Sequence, residues 1–351
     1  MTSTITTEKN APRSPIKVII VGAGFGGLTA AVECHRLGLD VEIYEAFAEL
    51  KVVVATQPAT KGLEDAPVLN GHRGELHEIV FKYVRDELRI PIHLGKRITQ
   101  YFENKDEAGI ELETKEKVGL IHAQRSGLLT CWQDFLRLCY WGRWCPLKKA
   151  RELVIGYEDK PKSSGYAIWR AWFPSIELAR DHRTAQFCVD GDTFNGWIGP
   201  DVHFLFSTLK GGEYCSWVLT HKDTYDIEES WSLPGRVEDV LEVLADWDPV
   251  CRAIVEKTPS VVDWKLVYRE PLPHWVSDGG RIALIGDAAH PFLPTSIQGA
   301  SQAMEDGVII AVCLEKAGKD RVKQSIRAYQ DIRYERVKEV QKTGVNTGTV
   351  A

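Results

Sequence analysis

Two glycine-containing turns, far apart in the chain, carry the residue types best suited to chemistry. Gly22-Ala23-Gly24-Phe25-Gly26-Gly27 follows the apolar run Lys17–Val21 directly and opens a helical pattern that continues through Arg36. A loop of this kind between a strand and a helix lets a pyrophosphate approach the backbone. Gly22 makes the tight turn, Gly24 leaves room for the phosphates, and Gly27 lets the helix lie close on the strand. A second strand at 41–44 ends in Glu45, an acid placed to accept from a ribose hydroxyl pair. An acid at that point favours a free 2′-hydroxyl, hence FAD or NAD over NADP.

The second turn lies at 281–300. Residues 281–286 form a short apolar run that reads as a strand covered on both faces, so Gly286 and Asp287 fall at its carboxyl end, where open α/β sheets bind ligands. Asp287 can accept from a sugar or sugar-alcohol hydroxyl, and Ala288 and Ala289 leave space for it. Pro291 and Pro294 stiffen the connection. Gly299-Ala300 then start a helix whose unpaired N–H groups favour negative charge in front of them. Arg73 precedes an amphipathic helix with Leu76, Ile79, Val80 and Tyr83 on one face. It reads either as a solvated charge or as a phosphate or flavin contact.

These residues need a scaffold, and the rest of the chain supplies one. The 351 residues are enough for one large or two ordinary domains. A net charge of −6 without a basic stripe gives no electrostatic case for nucleic acid, and no apolar run is long enough to span a membrane. Residues 1–15 read as a disordered tail, and the eight cysteines form no CxxC pair. That spacing argues against a disulfide framework and a zinc site and suits a cytoplasmic protein. Beyond residue 165 come β-type runs at 166–173, 193–198, 202–207, 214–220 and 264–268, with helical patterns at 237–245 and 249–257. They predict an antiparallel sheet with helices on its outer side. Tyr166, Trp169, Trp172, Phe194, Trp197 and Phe204 are candidates to line an apolar pocket, though ordinary core packing is the favoured reading for most of them. His203, His221 and His290 lack ligand spacing and read as polar packing residues. The fold class expected is α/β, with a Rossmann-type domain for FAD or NAD at 16–164 and 272–351 and an inserted β-sheet substrate domain at 165–271.

Gly22 to Gly27 with Glu45, then Arg73-Gly74-Glu75-Leu76, then Gly286-Asp287-Ala288-Ala289-His290-Pro291 resemble the single-component FAD-dependent aromatic monooxygenases, the salicylate hydroxylase-like group of fungi with the para-hydroxybenzoate hydroxylase fold. The resemblance covers most of 16–341 and implies a role in secondary metabolism. It further implies that the glycine loop and Glu45 hold the ADP part of FAD, that Arg73 reaches the flavin side, and that Asp287 binds the ribityl chain. The helix at Gly299-Ala300 would then face the pyrimidine end of the flavin ring. The implied reaction uses NADH or NADPH as a transient reductant and O2 as co-substrate, and passes oxygen from a C4a-hydroperoxide of the flavin to an electron-rich ring. Several such relatives place an active-site arginine where this chain has Arg170, to fix an acidic phenol or carboxylate; a salt-bridged sheet residue is the alternative. Phe206 falls where relatives often have a catalytic tyrosine, which puts a hydroxyl partner for Arg170 in question. Substrate, regiochemistry and oligomeric state, a homodimer included, are left open.

Two departures from that family stand out. The segment between Glu45 and Arg73 is short, and the expected Gly-Ala-Asp-Gly strand end is replaced by a Trp- and Cys-rich stretch at 121–149. Tryptophan has a single codon, so reading 140–147 one base downstream forces glycine from both Trp141 and Trp144 and permits Ile-Gly-Ala-Asp-Gly-Val-Arg. Out-of-frame or unspliced sequence, with the frame restored at Ala150-Arg151, is therefore one reading. A real helical insertion using Leu129, Trp132, Phe135 and Leu136 is the other. A truncated or mis-spliced, catalytically impaired flavoprotein competes with the active enzyme, as does a related FAD-dependent epoxidase, halogenase or dehydrogenase. Transcript codons that cannot spell Gly-Ala-Asp-Gly in the shifted frame would remove the first reading.

Overall fold

The computed structural model describes residues 16–48, 73–105, 107–120, 126–132, 146–189, 191–223, 233–293, 296 and 298–347. The expected tail at 1–15, the short segment at 49–72, most of 121–145 and Pro294 lie outside these residues.

The chain begins with β1 (Lys17–Val21), α1 (Phe25–Arg36) and β2 (Asp40–Tyr44), a right-sized crossover that lays β2 parallel to β1. On the other side β1 pairs in parallel with β7 (Ser126–Trp132), and β7 pairs in parallel with β14 (Ile282–Gly286). A two-residue strand, β3 (Ile92–His93), extends the sheet beyond β2, giving the order β14-β7-β1-β2-β3. Both β1 and β14 are apolar along their length because both faces of the sheet are covered, and Ile19, Ile20, Leu284 and Ile285 are fully buried. This is the Rossmann-like sheet expected for the two ends of the chain. The helix proposed for 129–136 is corrected at its first part. Leu128, Leu129 and Thr130 are strand residues in register with β1 and β14, where ladder hydrogen bonds to two neighbours outweigh the helical spacing.

Between these pieces lie α2 (Arg73–Lys82), the small antiparallel sheet of β4 (Ile98–Glu103), β5 (Ala108–Leu112) and β6 (Lys117–Leu120), and α3 (Pro146–Ile155). The buried face of α2 differs from the one the periodicity suggests. Leu76 and Ile79 are exposed, as is Tyr83 in the π-helical turn 83–87 that continues the helix, while Phe81 and Val84 are buried and Val80 packs partly on the core. A polar anchor sets the rotation: the His77 ring lies 2.6 Å from the Ala23 carbonyl oxygen, which turns the opposite stripe outward.

The second sheet has the order β12-β13-β8-β11-β10-β9 and is antiparallel throughout. Its strands are β8 (Lys162–Pro174), β9 (Phe194–Gly199), β10 (Val202–Leu209), β11 (Tyr214–Lys222), β12 (Leu233–Gly235) and β13 (Val261–Tyr268). A short α4 (Ile176–Arg180) follows β8. One face packs on α5 (Val237–Val243) and α6 (Pro249–Glu256) around Trp169, Phe204, Phe206, Trp217 and Ile254. The chain closes with α7 (Gly299–Ala317) and α8 (Val322–Thr347). Among the described residues no helix is long and apolar enough to cross a membrane, and no group of three or more His, Cys, Asp or Glu is placed to hold a metal ion.

Glycines set the closest approaches. A Cβ on Gly27 would lie 2.1 Å from the Gly22 carbonyl oxygen, so α1 can rest on the turn after β1 only without a side chain there. Replacing Gly27 with alanine is expected to lower the stability of the chain by about 1–3 kcal/mol, read as a fall in the denaturation midpoint of the apoprotein.

Candidate active site

The carboxyl ends of β1 and β14 point the same way, with only β7 between them. At about 4.8 Å per strand, the glycine turn after β1 and the Gly286-Asp287 turn after β14 lie roughly 10 Å apart along one sheet edge. Two turns far apart in sequence thus flank the place, beyond the carboxyl end of β7, where open α/β sheets leave a cleft for ligands.

On the first side Gly22 has φ 96°, in the left-handed region that suits glycine, and Gly24 caps α1 without a side chain over the helix end. The first turn of α1 carries no acidic residue of its own. Glu45 is buried. One carboxylate oxygen accepts from the Ala23 N–H at 2.8 Å and the other from the Phe47 N–H at 3.0 Å. It therefore braces the glycine loop from the end of β2. Gly26 is buried, and its carbonyl oxygen lies where a Cβ on Gly307 would approach to 2.9 Å; its place is under α7. Arg73 opens α2, and the side chains of 73–75 lie outside the description.

On the second side Gly286 again takes a left-handed conformation, φ 57°, and its carbonyl accepts from the N–H groups of Ala289 and His290. The turn holds Asp287 half-buried beyond the strand end. Arg151, on α3 and fully buried, donates to the Ala288 carbonyl at 2.7 Å and to Asp159 at 2.6 Å, and Asp159 also receives Arg269. Burial pulls the Arg151 guanidinium below its usual range against the opposing pull of Asp159. Asp159 precedes β8 and Arg269 follows β13, so this cluster ties the Asp287 turn to the points where the chain enters and leaves the second sheet. Gly299 and Ala300 start α7 half-buried, with no side-chain cap at Gln298 and no acid in the first turn.

The second sheet has one helix-covered face and one half-open face. Buried and half-buried residues alternate along β11 and through 203–208 of β10, as the pleat requires. Tyr166, Ile168, Arg170 and Trp172 of β8 share the half-open face, with Val218 and Thr220 of β11 and His203 and Leu205 of β10 beside them in register. Ile168 packs with Leu266 and with Leu293, which follows the Asp287 turn, so this face lies against the cleft side of the molecule. Arg170 is half-buried, stacks over the Trp264 ring at 5.2 Å and is drawn below the usual arginine range by desolvation. His203 is on the same face, and its Nε2 is shielded without a hydrogen-bond partner among the described residues.

The six candidate pocket aromatics separate by strand parity. Tyr166, Trp172 and Phe194 lie on the half-open face, whereas Trp169, Trp197 and Phe204 pack in or against the helix-covered core. Phe206 is fully buried in that core too, on the opposite face from Arg170, so a hydroxyl at this position would not meet the guanidinium. His221 stacks on Trp169 at 3.6 Å and His290 is enclosed, as expected of packing residues.

Several residues that organise the site carry no motif signal. Besides His77 and Arg151, the main one is Asp306, which is fully buried on α7. Its Oδ2 lies 2.6 Å from His290 Nε2 and accepts the Gly286 N–H at 2.9 Å, while its Oδ1 accepts Arg333 Nε at 2.8 Å. A clue was available: Asp306 interrupts the stripe of Ala303, Gly307, Ile310 and Leu314 that α7 buries, and a charge there needs a partner.

A profile described as an NAD(P)-binding Rossmann-like domain matches residues 20–62, and one described as an FAD binding domain matches 274–343. These are the two sides of the cleft. The asperlicin C monooxygenase of Petromyces alliaceus is 30% identical over 385 residues, covering 95% of this chain and 79% of the relative. The chain belongs to the FAD-dependent monooxygenases. The alignment is longer than this chain, so the relative carries stretches that this monooxygenase lacks. Among solved structures, CtdE in complex with FAD and its substrate 4 superposes with TM-score 0.77 at 28% identity, over 94% of this chain and 88% of that one. A salicylate hydroxylase substrate complex shares the fold, with TM-score 0.74 at 19% identity over 95% and 88% of the two chains.

Burial alone would raise the Asp306 carboxyl, but His290, Arg333 and the Gly286 N–H outweigh it and hold it below the usual carboxylate range. A depressed native value contributes stability above the unfolded-state value near pH 4, lost as the pH falls through the native one. Replacing Arg333 with methionine leaves this charge without its cation. The expected cost is about 3–5 kcal/mol in denaturant unfolding at neutral pH, with acid unfolding beginning at higher pH than in the wild type.

Proposed function

We propose that this monooxygenase hydroxylates an aromatic or phenolic small molecule, using NAD(P)H and O2, in a site between the cleft and the half-open face of the second sheet. We further propose an FAD-binding domain from 16–164 and 272–351 and a substrate domain from 165–271. The observation that carries the substrate assignment is Arg170. It is a desolvated cation stacked on Trp264, without an ion pair among the described residues, on the face that packs against Leu293. A flat anionic or hydrogen-bonding ring suits such a group. The naming of a relative for asperlicin C, and the capture of CtdE with its substrate and FAD, support a small-molecule substrate.

The donor set fits FAD: an uncapped helix end behind Gly22, Gly24, Gly26 and Gly27, the acid Glu45, and across one strand the acceptor Asp287. In this reading the glycine loop takes the pyrophosphate and Glu45 the ribose. Asp287, with Gly286, takes the ribityl hydroxyls, and Gly299-Ala300 present a helix N-terminus to the ring. FAD bound there, reduced by NAD(P)H, supplies the activation of O2. The task of the chain is to orient and shield: Arg170 holds the substrate ring and favours its phenolate, and Ile168, Val218 and Leu293 keep water from the reacting face.

Purified protein is expected to be yellow and to oxidise NADPH or NADH faster when a suitable phenol is present, yielding a product one oxygen heavier by mass spectrometry. Arg170→Met should lower kcat/KM by roughly 10- to 100-fold, as for loss of a charged hydrogen bond, with FAD retained. Oxidation of NAD(P)H that never transfers oxygen to any aromatic would count against the hydroxylase reading and favour an oxidase or dehydrogenase.

A further inference from the structure

We propose that Asp306 is a positioning residue of the flavin site, holding the Gly286–His290 turn in the shape that presents Asp287. The inference rests on reading Gly286-Asp287 as flavin-binding.

Both ends of that turn meet one oxygen. Asp306 Oδ2 accepts the Gly286 N–H at 2.9 Å and lies 2.6 Å from His290 Nε2, closing a ring that includes Asp287. The other oxygen receives Arg333 Nε at 2.8 Å. The rest of the guanidinium is occupied by the Gln302 side chain at 2.7 Å, the Gln302 carbonyl at 3.1 Å and Glu305, so it holds the carboxylate from a fixed direction. Trp275 packs at 5.1 Å from the His290 ring and Phe292 at 5.4 Å, leaving the ring little freedom.

The next residue on α7 extends the effect across the cleft. Gly307 lies so close to α1 that a Cβ there would be 2.7 Å from the Ala30 nitrogen and 2.9 Å from the Gly26 carbonyl oxygen. Consecutive residues of one helix thus seat the turn at Asp287 and the helix behind Gly24, and α7 sets the separation of the two flavin contacts. A further link comes from the far end of α8, where Gln341 donates to the Pro291 carbonyl at 3.0 Å. Asp306 acts through Gly286 and His290 and touches no ligand in this account.

The test titrates apoprotein with FAD, following quenching of flavin fluorescence and the visible circular dichroism of bound flavin, alongside the thermal midpoint of each apoprotein. Asp306→Asn keeps the shape but gives up the charge that organises His290 and Arg333. It is expected to weaken FAD binding by on the order of tenfold and to change the dichroism of the bound flavin. Arg333→Lys keeps a cation without the fork and should weaken binding severalfold; if Asp306→Asn gives no soluble protein, Arg333→Lys decides alone. Wild-type affinity and an unchanged flavin spectrum in the soluble variants, whatever their thermal midpoints, would overturn the proposal and leave Asp306 a stabilising residue only. A wild-type chain that takes up no FAD would instead overturn the flavin reading on which the proposal stands, a result visible before any variant is made.

Discussion

The close approach of α7 to α1 at Gly307 is the constraint from which the site follows. It requires small residues on both helices, and Gly26 and Ala30 provide them opposite Gly307. Once these helices meet, β14 must enter the sheet near β1, and its end must emerge beside the glycine turn. No direct bond between the two turns is needed, because the sheet and one helix pair fix their separation. The buried polar cluster of Asp306, His290 and Arg333 sits on the same helix, so an interior charge is tolerated where it organises backbone atoms at the cleft.

Much of this was legible before the structure. The strand, glycine turn, helix, strand and acid at 17–45 and the apolar strand before Asp287 carry their own local signals, and each lies where those signals place it. The strands of the second sheet were legible as strands, but their faces were not. A shift of one residue exchanges the two faces, and the pairing that settles parity comes from other strands. Hence half of the candidate pocket aromatics belong to the core, and Phe206 lies across the sheet from Arg170.

Each of the residues missed bonds a backbone atom in a remote segment: the Ala23 carbonyl for His77, the Ala288 carbonyl for Arg151 and the Gly286 amide for Asp306. No period or spacing encodes such a bond. The same holds for α2, where one hydrogen bond from His77 decides which stripe is buried and leaves Leu76 and Ile79 exposed. β7 is a different case. Ser126–Trp132 is neither strongly alternating nor flanked by clear turns, and what makes it a strand is the vacancy between β1 and β14 that a continuous parallel sheet must fill.

A crystal structure of the chain grown with FAD tests the central claim most directly. The account predicts an extended FAD with its pyrophosphate at Gly22 and Gly24 and its ribityl chain at Asp287, passing over the end of β7, with the isoalloxazine toward Leu293 and the face bearing Arg170. A flavin bound elsewhere, or one whose ribityl chain does not reach Asp287, would contradict it.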